Sequence, residues 1–150
     1  MSRDRLEAWG RELRLVHREL RTRIELLREQ LLHGETDTGL AGELRLFCLG
    51  FCGALASHHT AEDTRLFPYV LAAHPGLGPV ADRLMEDHRM LAALIEDLDR
   101  AARTAGAAQV LRHLDGITAI MESHFGYEER QLTAVLDALT APEPAIRSLL

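Results

Sequence analysis

Hydrophobic residues recur every three or four positions through four long stretches of the chain, which is the spacing of helices with one apolar face. The stretches run from about residue 3 to 32, 40 to 72, 79 to 102 and 107 to 139. None of them shows the strict apolar-polar alternation that is typical of half-buried strands. The pattern therefore predicts an all-α protein with four long helices.

Clusters rich in glycine and proline separate these stretches. They lie at residues 33–39 and 73–78, with a weaker break at 104–106, and the last stretch ends at 141–144. Such clusters mark turns, and short turns between long helices favour antiparallel neighbours. We therefore predict an up-down-up-down antiparallel four-helix bundle that forms a single domain over residues 1–150. Pro68 lies inside the second stretch, where we expect it to kink or break the helix.

Polar residues interrupt the apolar face in the middle of every predicted helix. Each face contains a histidine, and the second and fourth faces add a glutamate four residues after it. These residues are His17, His58, Glu62, His88, His124 and Glu128. A spacing of four points each histidine and its glutamate in the same direction. Counted from the predicted turns at about 1.5 Å per residue, all six lie near the middle of the bundle.

The two glutamates on apolar helix faces need a physical explanation. A carboxylate that is buried without a partner is strongly destabilising. A pair of divalent cations would compensate Glu62 and Glu128, and imidazole and carboxylate suit iron, manganese or zinc. We therefore predict a two-metal site, and ligand chemistry alone leaves the choice among these metals open. A metal-free bundle that acts through partner proteins is the weaker alternative, because it leaves both charges uncompensated.

The order of these residues resembles the hemerythrin-like, or HHE cation-binding, domain family. A histidine on the first and third helices alternates with an HxxxE pair on the second and fourth, in the stretches HHTAEDTRLFP and HFGYEE. The resemblance spans about 110 residues and all four helices. It implies a non-haem di-iron centre in which Glu62 and Glu128 bridge two iron ions together with an oxo or hydroxo group. The implied terminal ligands are His17, His58, His88 and His124.

The sequence departs from the oxygen-carrying members of that family on the third helix. Those proteins have a second histidine four residues from the first, whereas Leu84 and Ala92 flank His88 here. Their bridging residue on the fourth helix is an aspartate five residues after its histidine, whereas here Glu128 follows His124 by four. We therefore expect one iron to have fewer protein ligands. An open metal position favours redox chemistry over reversible oxygen carriage.

The resemblance implies that O2, peroxide or nitric oxide binds or reacts at the metal pair. We expect redox or oxidative-stress chemistry, either catalase-like turnover of peroxide or oxidation of a small molecule. The alternative is an oxygen- or iron-binding sensor or storage protein without catalysis. An oxidoreductase activity is therefore one of two open interpretations.

Several residues next to the six are candidates for supporting roles. His59 lies about 100° around the helix from His58, so we interpret it as a boundary or outer residue that pairs with Asp63 four residues later. Whether His59 or Tyr127 adds a metal ligand stays open. Metal-bound imidazoles usually donate their second ring N–H to a carboxylate or carbonyl. The candidate acceptors are Asp63, Glu86, Asp87 and Glu129.

Charge and composition narrow the partners and the location. The net charge of −6 argues against a nucleic-acid partner. No apolar run reaches the roughly 20 residues of a membrane helix, so we expect no membrane partner. The N-terminus lacks the apolar segment of a signal peptide, and the two cysteines, Cys48 and Cys52, are interpreted as core residues. We expect a cytoplasmic protein, and the oligomeric state stays open.

Overall fold

The computed structural model describes residues 8–33 and 42–138, and in these ranges the chain is helical, with short turns and no strand. The all-α class predicted from the sequence is confirmed. A π-helical turn, Glu62–Leu66, and a 3-10 turn, Pro75–Leu77, lie between helices. The α-helices are α1 (Ala8–His33), α2 (Gly42–Ala61), α3 (Phe67–Ala73), α4 (Gly78–Thr104) and α5 (Ala107–Ala138).

Two of the predicted breaks lie within the described residues, and both are confirmed. The turn Pro75–Leu77 separates α3 from α4, and Pro79 lies in the first turn of α4, where an N–H is not needed. Ala105 has an extended backbone, with φ −117° and ψ 169°, and separates α4 from α5. Of the predicted turn at 33–39 only His33 is described, and it is the last residue of α1. The break at 141–144, the start of the first stretch and the end of the last stretch lie outside the described residues.

The helix that begins at Gly42 changes type before Pro68 rather than breaking there. Phe67 donates its N–H to the carbonyl oxygen of Glu62, five residues earlier, which is the bond of a π-helix. Leu66 and Phe67 keep right-handed helical dihedral angles. Proline lacks an N–H and crowds the preceding turn. The wider turn therefore lets the chain remain helical, and it begins at one of the predicted metal ligands.

The four long helices pack around a core that is divided into two apolar clusters. α1 packs against α2 and α5, and α4 packs against the same two helices, which is consistent with a helical bundle. The first cluster includes Cys48 and Cys52, which are buried and free, as interpreted. Along each segment the predicted site residues lie between a member of one cluster and a member of the other. In each flanking pair the residue named first belongs to the first cluster and the other to the second: Leu20 and Leu13, Leu55 and Leu66, Leu91 and Leu84, and Met121 and Leu132.

No helix in the described part of the chain has both the length and the apolar character that crossing a membrane requires.

Gly10 lies where α1 approaches the end of α5. Its N–H donates to Asp137 Oδ1 at 2.7 Å. A Cβ placed on Gly10 would lie 2.9 Å from the carbonyl oxygen of Thr133, which is backbone and cannot rotate away. The close contact between the two helices therefore depends on the absence of a side chain at this position.

We expect Gly10→Ala to lower the free energy of unfolding by about 1–3 kcal/mol, because the added methyl group forces α1 and α5 apart. Gly53→Ala on α2 is the matched control, since a Cβ there meets nothing within 4 Å. Helix propensity alone should then raise stability by about 0.5–1 kcal/mol. Chemical denaturation measures both changes. A stabilising Gly10→Ala would show that the two helices do not meet as closely as described.

Candidate metal centre

The six predicted residues meet in the layer between the two apolar clusters, and none of them is more than 5% exposed. Together with His59, they form two groups of possible metal ligands, and the nitrogen and oxygen atoms of each group lie within 4.8 Å of one another. The first group contains His17, His58, Glu62 and Glu128, and the second contains His59, Glu62, His88 and His124.

Both carboxylates reach histidines of both groups. Glu62 Oε1 lies 3.2 Å from His58 Nε2 and 3.4 Å from His88 Nε2. Glu128 divides its oxygens: Oε1 lies 3.8 Å from His17 Nε2, and Oε2 lies 3.2 Å from His124 Nε2. This is the arrangement that two carboxylates need in order to bridge two cations.

His59, interpreted from the sequence as a boundary or outer residue, lies inside the site. It is buried, and its ring stacks on that of His88 with the centroids 4.0 Å apart and the planes 14° apart. Its neighbour His58 instead meets the His17 ring, with the centroids at 5.2 Å. Consecutive helical residues point about 100° apart, so His58 faces α1 and His59 faces α4. The second group therefore has three histidines although α4 supplies only one of them.

Tyr127 does not join either group. Its ring lies under the guanidinium of Arg83, with Cζ 3.9 Å from the ring centroid, and it packs against the second apolar cluster. Its side chain therefore belongs to the packing next to the site.

Two of the predicted carboxylates hold the outer ring nitrogens of site histidines. Asp63 Oδ1 lies 2.7 Å from His88 Nδ1, and Asp87 Oδ2 lies 3.1 Å from His124 Nδ1. Asp63 thus contacts His88 rather than its expected partner His59. Burial raises the pKa of Asp63 to about 6, against the effect of Arg89. Glu86, another of the four carboxylates predicted as acceptors, is exposed.

These two carboxylates determine which ring nitrogen of His88 and of His124 has its lone pair directed into the site. An ionised carboxylate accepts the N–H of Nδ1, which leaves the lone pair on Nε2. The Nε2 atoms of His88 and His124 lie only 3.0 Å apart. Burial, and then neighbouring histidines, lower the pKa of His88 to about 2, and burial also lowers the pKa of His124. Two lone pairs therefore face each other, and a cation bound between them would remove their repulsion.

The remaining donor atoms also fit a cation. Both oxygens of Glu62 and of Glu128 have no hydrogen-bond partner among the described residues, and the same holds for Nε2 of His17 and of His59. Burial raises the pKa of Glu128 well above its ordinary value and lowers those of His17 and His59. Buried polar atoms are normally paired. These donors, neutral imidazoles and carboxylates, are the types that bind iron, manganese or zinc.

A family model for the hemerythrin HHE cation-binding domain matches residues 11–144. The chain belongs to the hemerythrin HHE cation-binding domain family. The resemblance inferred from the sequence is thereby confirmed, and the match includes every member of the two ligand groups. The curated proteins and the solved structures contain no match to this HHE domain. Family and donor set together make this a metal-binding domain.

Two clefts, one on either side of α2, reach the site of this HHE domain. The cleft between α1 and α2 has a volume of about 550 Å³, and His58 lies in its wall. The cleft between α2 and α4 has a volume of about 310 Å³, and its wall includes His59 and His88. Each ligand group therefore has a cleft in the protein surface next to one of its histidines.

We expect Glu128→Gln to stabilise the metal-free protein at neutral pH while weakening metal binding. The raised pKa of Glu128 means that the fold disfavours the ionised form, so removing the carboxyl should gain about 1–3 kcal/mol at pH 7. The gain should disappear below the ordinary glutamate pKa of about 4.3, where the unfolded chain is protonated as well. Denaturation of chelator-treated protein at both pH values measures this.

Glu25→Gln is the control for that experiment, because Glu25 is exposed on α1 and its replacement should change stability little at either pH. A metal-free Glu128→Gln protein that is less stable than the parent at pH 7 would contradict the expectation.

Proposed function

We propose that this HHE domain holds two iron ions, one in each ligand group, with an oxo or hydroxo bridge, and that O2, peroxide or nitric oxide reacts there. One observation carries the proposal. Glu62 and Glu128, both fully buried, lie 3.2–3.8 Å from histidine nitrogens of both groups. Two cations would compensate two such carboxylates, and a single ion would leave part of the donor set unused. The choice of iron rests on the family.

The proposed ligand set adds one residue to the six predicted from the sequence. His17 and His58 would hold one ion, and His88 and His124 the other, with Glu62 and Glu128 shared between them. His59 would be the third histidine of the second ion, which supplies the ligand expected to be missing there. The coordination of the two ions then differs, because one has two histidines and the other has three.

We also propose that the helices alternate in direction, as an up-down-up-down bundle that forms one domain over residues 1–150. Two segments support this. α1 passes from the second apolar cluster at Leu13 to the first at Leu20, and the next segment passes back from Leu55 to Leu66. α4 and α5 repeat the alternation through the pairs of residues that flank the site.

When bound, the iron pair would supply redox chemistry at an exchangeable position. Asp63 and Asp87 would accept hydrogen bonds from the Nδ1–H groups of His88 and His124. The Nε2 atom of each ring then keeps the lone pair that would bind a metal ion. Phe125 stacks on His17 with centroids 3.9 Å apart, and Phe67 lies 5.7 Å from His88. These rings would shield the two histidines from water, and a small molecule would approach the site from one of the two clefts.

Turnover of peroxide or oxidation of a small molecule is the activity we favour, in the cytoplasm, where thiols such as Cys48 and Cys52 stay reduced. We propose that its partners are small molecules, and neither nucleic acid nor a membrane.

We expect about two irons per chain after aerobic purification, and weaker binding of one of them in His59→Ala. Removing a residue that only hydrogen-bonds to a metal ligand usually weakens metal binding by at least about tenfold. Removing a ligand itself should weaken it at least as much. Elemental analysis and anaerobic titration with Fe²⁺ measure stoichiometry and affinity. His113→Ala is the control, since His113 lies on α5 outside both groups. A wild-type protein without metal would overturn the proposed function, whereas two unaltered irons in His59→Ala would remove only His59 from the ligand set.

We expect the iron-loaded protein to evolve O2 after addition of hydrogen peroxide. The rate should fall at least about tenfold in His88→Ala, because metal and its donor geometry are lost together. An oxygen electrode measures the rate, and iron-free protein gives the background. An iron-loaded protein with no activity above that background would favour storage or sensing over turnover.

A further inference from the structure

The outer nitrogen of His17 has less direct support from a carboxylate than those of His88 and His124 have. Its ring lies flat on Phe125, with the centroids 3.9 Å and the planes 3° apart. Its outer nitrogen, Nδ1, lies 3.9 Å from Glu129 Oε2, beyond hydrogen-bond distance. By contrast, His88 and His124 have carboxylates at 2.7 and 3.1 Å. The orientation of His17 therefore depends on whatever fixes Phe125 and Glu129.

Arg21, one helical turn after His17 on α1, contacts both of these residues. Its Nη2 donates to Glu129 Oε2 at 3.3 Å. Its Nε donates to the two oxygens of Glu122 at 3.0 and 3.1 Å. Its Cζ lies 5.4 Å from the centroid of the Phe125 ring. One guanidinium thus meets three residues of α5, and two of the three contact His17.

The geometry of this contact matters because Glu129 Oε2 lies between two partners. It is 3.3 Å from the Arg21 guanidinium and 3.9 Å from the His17 ring nitrogen. A planar guanidinium can hold two carboxylates at fixed angles, which an ammonium group cannot do. Arg21 therefore sets where the Glu129 oxygen lies relative to the N–H of His17.

We propose that Arg21 is a positioning residue for the metal ion held by His17 and His58. It acts through Glu129 and Phe125, which fix the outer nitrogen and the plane of the His17 ring. Because α1 supplies no other member of the ligand groups, this contact governs how α1 takes part in the site. The inference rests on the two-metal site proposed above.

Arg28 offers a closely matched control. It lies two turns further along α1 and joins the same two helices, with its Nε 3.1 Å from Asp115 Oδ1. Its side chain is 51% exposed, against 28% for Arg21. It contacts no residue of either ligand group. Removing Arg28 therefore removes an ion pair between α1 and α5 without touching the site.

The test is a titration of Co²⁺ into four metal-free proteins, which are the wild type and the variants Arg21→Ala, Arg21→Lys and Arg28→Ala. Co²⁺ has visible absorption that reports the geometry of its ligands, so the readout does not depend on activity. In Arg21→Ala we expect one of two Co²⁺ ions to bind about tenfold more weakly or worse, which is the usual effect of losing an outer partner, and its absorption to change. Arg21→Lys should be intermediate, and Arg28→Ala should bind within about twofold of wild type.

Denaturation of the metal-free proteins separates positioning from folding, because both alanine variants should lose similar, small amounts of stability. The inference is wrong if Arg21→Ala binds both ions with wild-type affinity and absorption. It is also wrong if Arg28→Ala weakens binding as much, since the effect would then come from helix packing. A wild-type protein that takes up fewer than two Co²⁺ ions would instead overturn the two-metal site itself, and this inference with it.

Discussion

Two carboxylates buried in an apolar bundle are the constraint on which the rest of this structure depends. Glu62 and Glu128 have no hydrogen-bond partner among the described residues, and burial opposes protonation of the histidines around them. Arg21, which lies next to this layer, pairs with Glu122 and Glu129 instead. Bound cations would therefore compensate the negative charge of these two carboxylates. Metal binding should then stabilise the folded protein.

The polar layer also explains the division of the core. Apolar clusters on both sides keep the four helix segments together where the layer itself contributes repulsion. The π-helical turn lies at the same level and begins with Glu62, so an irregular piece of helix lies at the ligand that both groups share. Irregular turns of this kind often mark functional sites in helices.

The sequence predicted six of the seven candidate ligands because each one interrupts an apolar face. It did not predict the place of His59, since a helical-face argument assigns one inward direction to each helix. α2 packs against both α1 and α4, so two consecutive histidines can face two different neighbours. The sequence signal is the doublet His58-His59 itself. Pro68 indicated an irregularity but not its type, and the π turn brings Asp63 to His88. The role of Arg21 needs the packing of α1 on α5, which no local pattern encodes.

The ligands are shared unevenly among the helices, and this determines which parts of the bundle can open while an ion stays bound. If α1 detaches, only His17 leaves the first group, and if α4 detaches, only His88 leaves the second. Three donors then remain in either case. The segment of α2 and its π turn, by contrast, supplies donors to both groups. With the two proposed ions bound, local unfolding of α1 or α4 would therefore allow one ion at a time to exchange, whereas opening of α2 would release both.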